Sequence, residues 1–231
     1  MAAVTHAGTT FDTAAGNKTV TATPAYGDLI VVLAATSGLA GGTTAVTDNK
    51  GGTYIQVDID RTGFSTTGVL TAWVRESFVD QAVSTIYTAA QGGSSGGGLT
   101  VYRVSDMNNV GALAVCGSGG QSTGTSGTTP APVLSRTPLT ANVVIGAVAN
   151  GSNTAALTPR ASPAYTEAPT PDVGYNVPAT GLDCMFINSG ETSATITWGG
   201  TSPSIFASIA IELDTSNAPT YTHSGMSGVT T

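Results

Sequence analysis

Short apolar stretches with a two-residue alternation recur along this chain, and none repeats with the 3.6-residue period of an amphipathic helix. The clearest runs over residues 53–61. Ile55, Val57 and Ile59 point one way there and Gln56, Asp58 and Asp60 the other, the pattern of a half-buried strand with both aspartates on the solvent side. Residues 205–213 alternate in the same manner. Residues 29–33 and 143–148 are nearly continuous apolar blocks, as expected of central strands covered on both faces. Residues 70–75, 98–104 and 194–198 help complete a set of about ten strands, separated by Gly, Asn, Asp and Pro.

The scarcity of charge points the same way. Only 9% of the 231 residues are charged, against roughly 25% in a typical globular chain. Helix surfaces are ordinarily filled with Glu, Lys, Gln and Arg, whereas the Thr and Val abundant here pack well on a pleated sheet. The apolar share of 40% is enough to build a core and argues against a disordered chain. A surface so poor in charge fits either burial against a partner or a neutral Thr/Ser coat.

The chain reads as two similar halves. Pro24 and Gly27-Asp28 precede the first apolar block, and Pro138 and Ala141-Asn142 precede the second. Each half ends with a Gly- or Ser-rich turn feeding a last strand, and a Gly/Ser/Thr stretch over 117–129 marks the join. Two tandem small sandwiches would suit this pattern. A half alone has few strands to bury both its faces, which favours one domain over 19–214: an all-β, jelly-roll-like antiparallel β-sandwich. Residues 1–18 and 215–231 are expected as extended terminal arms.

The residues offer little for catalysis. The two histidines, His6 and His223, fall in the arms, where a base is hard to hold in place. Asp58 and Asp60 share an exposed strand face, and no paired carboxylates flank a cleft. No His/Cys cluster has zinc spacing. Asp48 with Asn49, or Asp58 with Asp60, could offer oxygen ligands to calcium, but Asp48-Asn49 reads better as a turn. No metal, cofactor or catalytic residue is therefore expected. Cys116 and Cys184 could pair, although buried thiols are favoured. The net charge of −7 and the scattered basic residues argue against nucleic-acid binding. The longest uninterrupted apolar run is too short to span a bilayer, and the N-terminus has no secretory pattern, so synthesis and residence in a cytosol are expected. Four residues are candidate partner contacts: Tyr165 and Tyr175 in the Pro-rich stretch 158–178, and His6 and Phe11 in the N-terminal arm.

Gly27-Asp28-Leu29-Ile30-Val31-Val32 and Val46-Thr47-Asp48-Asn49-Lys50-Gly51-Gly52-Thr53-Tyr54 resemble a β-sandwich module found in phage structural proteins. Tyr102-Arg103-Val104-Ser105-Asp106, Ala141-Asn142-Val143-Val144-Ile145-Gly146 and Trp198-Gly199-Gly200 extend the resemblance over most of residues 20–213. It implies a non-enzymatic virion component, a capsid cement or decoration protein or a tail component, with no catalytic residue to carry over. The partners it implies are the major capsid protein and copies of the chain itself, with three-fold assembly suggested by capsid lattices. A tail-associated adhesin that stacks Tyr165 and Tyr175 on host glycans is the alternative.

Overall fold

A computed structural model of the chain describes residues 1–38, 41–62, 68–123, 129–150, 157–169, 173–176, 180–201 and 205–215. Among them are sixteen strands, one 3₁₀ turn over Gly111–Ala114 and no α-helix. The first half holds β1 (Ala3–Asp12), β2 (Lys18–Ala22), β3 (Leu29–Thr36), β4 (Val46–Asp48), β5 (Tyr54–Thr62), β6 (Gly68–Arg75), β7 (Thr85–Ala89) and β8 (Gly97–Ser105). The second holds β9 (Val115–Thr123), β10 (Val143–Asn150), β11 (Leu157–Thr158), β12 (Thr166–Glu167), β13 (Val173–Asn176), β14 (Thr180–Ile187), β15 (Gly199–Gly200) and β16 (Phe206–Leu213).

Two antiparallel sheets dominate. One runs β1-β8-β3-β6-β5, the other β12-β14-β10-β16-β9 with β13 also on β14. They pack face to face over a central cluster in which Leu29, Val31, Leu33 and Tyr102 meet Val143, Ile145, Phe186 and Ile211. The alternate residues of the central strands face outward and are covered too. Ile30, Val32, Trp73 and Val101 lie under Val20, Val46 and Tyr87 of the small sheet β2-β7-β4. Val144, Val148 and Met185 lie under Leu134, Leu157, Ile196 and Trp198. Burial on both faces is why β3 and β10 read as unbroken apolar blocks.

The halves share their wiring. In each large sheet the half's last strand lies between its first strand and its central one, giving β1-β8-β3 and β9-β16-β10. Leu29 lies opposite Val104 and Val143 opposite Leu213, so Arg103 and Glu212 occupy equivalent places one step further in. Asp28 N–H donates to the Ala25 carbonyl and Asn142 N–H to that of Leu139, the same turn before each central strand. Gly8 and Gly119 sit at equivalent register positions. A Cβ on either would be 2.8 Å from Val20 Cγ1 or 1.9 Å from the Val133 carbonyl oxygen. β1 lies over β13 while β9 lies under β5, which relates the halves by a pseudo-dyad along the strand direction. In a jelly roll each sheet takes strands from both halves of the chain; here each large sheet comes from one half. Each half has enough strands because short segments supply its outer layer.

Two expectations change. Residues 3–12, anticipated as an arm, form the edge strand β1, since Ala2 and Val4 bury in the central cluster. Asp58 and Asp60 do not face solvent. A bulge between Gln56 and Asp58 shifts the alternation, so the two carboxylates lie opposite Ala72 and Leu70, which face the second sheet. Of the C-terminal arm, only Thr215 lies within the described residues, and its hydroxyl donates to the Ala141 carbonyl at 2.6 Å.

Candidate functional site

Three carboxylates in this fold centre hydrogen-bonded knots, and each joins segments distant in sequence. In the first half Asp48 closes the turn after β4. Its Oδ1 accepts the N–H groups of Lys50 (2.8 Å) and Gly52 (2.9 Å), and its Oδ2 accepts the Tyr54 hydroxyl at 2.9 Å. Arg75 Nε lies 3.5 Å from Oδ2, and its Nη1 donates to the Phe78 carbonyl. Three donors on one carboxylate, with the Arg75 guanidinium beside it, tie down the Asp-Asn-Lys-Gly-Gly turn. Burial, and then the Asp48 carboxylate, push the Tyr54 hydroxyl well above its ordinary range.

A matching knot occupies the second half. Glu191, fully buried, accepts the N–H groups of Thr192 and Ser193 on Oε1. Its Oε2 accepts Arg160 Nη1 and the Tyr165 hydroxyl, both at 2.9 Å. A third knot centres on Glu212, whose Oε1 accepts Asn142 Nδ2 at 2.6 Å and Leu139 N–H at 2.9 Å, with Arg136 Nε 3.4 Å from Oε2. At the equivalent place in the first half, Asp28 faces Arg103 at 3.9 Å. The same turn-to-strand junction is thus held by an amide and a carboxylate in one half and by an ion pair in the other.

These contacts place the candidate residues. Tyr165 is buried against the second outer layer with its hydroxyl bonded to Glu191, so it is not the exposed aromatic that a contact role requires. Tyr175 lies in β13, and its side chain falls outside the described residues. The His6 ring faces the space between the large sheets, 5.7 Å from the Tyr102 ring, with Nε2 2.7 Å from Thr9 Oγ1. Burial lowers its pKa from 6.5. Phe11, at the far end of β1, is 49% exposed. Neither cysteine is in a disulfide, as favoured: Cys184 is buried, and Cys116 is half-buried.

Two open clefts lie among the described residues. One of about 310 Å³ lies where β5 meets β9, lined by Gln56, Val57, Cys116, Ser118 and Ser135. Asp58 stands beside it, its pKa raised by burial and partly restored by the Ile59 N–H and the Ser118 hydroxyl. The Cys116 thiol, whose sulfur lies 3.7 Å from the Glu212 main-chain carbonyl, is pushed up to about 12 by burial and then by the Glu212 side-chain carboxylate. A thiol so protonated is a poor nucleophile, and His6 lies at the opposite edge of the first sheet. The second cleft, of about 440 Å³, is lined by Met1, Ala2, Asp106, Met107, Ala141 and Thr215. Among the described residues no group of three or more His, Cys, Asp and Glu could hold a metal, and no helix is long and apolar enough to cross a membrane.

Sequence reading missed the knots. Their one signal was position: Arg75 follows Trp73-Val74, and Glu212 lies between Ile211 and Leu213, so each is a charge within an apolar strand. Comparison with family models, with curated proteins and with solved structures returns no match.

Proposed function

We propose that the chain is a non-enzymatic virion structural protein, a capsid cement or decoration protein that stabilises contacts between major capsid subunits and also contacts copies of itself. The observation that carries this reading is where the polar chemistry goes. Asp48, Glu191 and Glu212, with the hydroxyls of Tyr54 and Tyr165 and the Arg160 guanidinium, are joined into knots that hold turns to strands. What faces outward is a low-charge sandwich with apolar side chains at its turns, Tyr26 and Leu113 among them. Such a protein works by burying surface. Binding only the assembled shell, it raises the shell's stability by mass action.

The adhesin alternative relied on Tyr165 and Tyr175 stacking on sugar rings, and it is weakened because Tyr165 is buried. The test is co-sedimentation of the purified protein with capsids assembled from the cognate major capsid protein, alongside purified tails and host cells. Saturable binding to capsids in a fixed ratio to capsomers is the expected result. Binding to tails or cells with none to capsids would overturn it.

A further inference from the structure

We infer that two copies of this chain join through the outer edge of β1, pairing antiparallel about a two-fold axis at Thr10 to make one continuous ten-stranded sheet. The inference rests on the structural reading above insofar as it concerns contacts between chains.

The edges of the two large sheets are not alike. β5 carries a bulge and the inward-facing carboxylates Asp58 and Asp60, and it packs on β9 and β16. β9 receives the Ser135 N–H on its Ser118 carbonyl, and the chain near Val133 crosses it at Gly119. β12 and β13 are two and four residues long. β1 is ten residues long and contains no Lys, Arg or Pro, the residues that commonly protect a sheet edge; its one charge is the terminal Asp12.

The hydrogen-bond phase of this edge follows from one contact. Val4 N–H points away from β8 and donates to Asn188 Oδ1 at 2.8 Å. Inward and outward residues alternate along an antiparallel pair, and the bulge at Ala7 shifts β1 by one. The N–H and C=O groups of Thr9 and Phe11 therefore point outward, opposite the positions of Thr100 and Gly98. A second strand that keeps the two faces of the sheet in register must place residues of like face opposite one another. Among the registers that meet this condition, the one centred on Thr10 sets Thr10 opposite Thr10, Thr9 opposite Phe11, and Asp12 opposite Gly8, and so gives Phe11 a β-branched partner. Thr9 and Phe11 then exchange N–H···O=C bonds twice across the axis. The exposed Phe11 ring gains a β-branched neighbour, and no like charges meet. Three constraints agree: the outward backbone groups, the face of each side chain and the placement of the single charge. The result is an isologous pairing of two subunits, in place of the three-fold assembly expected from capsid lattices.

The register names its own test. Opposed residues at the centre of a non-hydrogen-bonded antiparallel pair are close enough for a disulfide. Under mild oxidation the Thr10→Cys variant of the full chain is expected to form a covalent dimer. Asp12→Cys, which would face Gly8 of the other copy, is expected to form none. In sedimentation velocity the unmodified chain is expected to dimerise, and Thr10→Lys, which opposes two cations across the axis, to weaken the dimer at least tenfold with an unchanged far-UV spectrum. A monomeric unmodified chain, a dimer indifferent to Thr10→Lys, or crosslinking through Asp12→Cys in place of Thr10→Cys would each overturn the inference. None of these outcomes touches capsid binding, which the co-sedimentation measurement decides separately.

Discussion

At the scale of single residues, the knots determine which substitutions the molecule tolerates. Glu191→Ala removes the acceptor of the Tyr165 hydroxyl and the countercharge of Arg160, whose guanidinium keeps only the Ser162 and Thr195 carbonyls. Breaking a buried pair from one side costs about 3–5 kcal/mol. Tyr165→Phe removes one hydroxyl bonded to a charge and is expected to cost about 1.5–3 kcal/mol. Urea denaturation midpoints read both, and equal losses would show that Tyr165 and not Arg160 is what Glu191 holds. Asp58 behaves in the opposite sense. Its folded pKa is raised by burial, so its stabilising contribution is full below its unfolded value and is lost as pH rises through the folded one. Asp58→Asn is therefore expected to raise the melting temperature at pH 7 and to leave it nearly unchanged at pH 3. A lower melting temperature at pH 7 would mean that the Ser118 and Ile59 bonds outweigh the burial.

At the scale of elements, β1 and β5 show how far periodicity carries. Alternation located β5 almost to the residue, yet a single bulge reversed the facing from Asp58 on, while Val57 still packs on the central cluster. Nothing in Gln56-Val57-Asp58 marks that slip, because a bulge is selected by what packs across the sheet and not by local preference. β1 was missed for a related reason. Its stretch of Ala, Thr and Gly carries too few apolar residues to show a period, although Ala2 and Val4 anchor its start in the core. His6 gives that strand a pH dependence. Burial lowers its folded pKa, so the folded chain holds fewer protons than the unfolded one near neutrality, and stability rises with pH. Stability is expected to be full above 6.5 and to fall as pH drops through the lower folded value, a slope that His6→Gln should abolish. Chemical denaturation between pH 7 and pH 5 measures it, and an identical slope in the variant would assign the effect elsewhere.

For the whole molecule, the all-β class and the central strands were legible because apolar blocks and Gly/Pro punctuation are local signals. The repeat was legible too, in the matching approaches to Leu29 and Val143. The layering was not. Two-residue strands such as β11 and β15 have no pattern of their own, and only packing shows that they help cover the second sheet's outer face. The central cluster draws on both halves, so neither large sheet keeps its inner face dry without the other. Unfolding is accordingly expected as one transition, with calorimetric and van't Hoff enthalpies in agreement. Two resolved transitions would show that each half stands on its outer layer alone.

One end of the molecule brings together three stretches that the chain reaches far apart in sequence. Met1 pairs its amine with Asp106, Thr215 bonds to Ala141, and the crossing from one half to the other at 106–114 runs between them, all around the same cleft. The described backbone is thus close to a closed ring whose two arcs are equivalent by the pseudo-dyad. Cutting that ring at the crossing and sealing it at Met1 and Thr215 would exchange first half for second while leaving every strand neighbour in place. In topological terms the order of the halves along the chain is interchangeable, and the architecture itself has no first half.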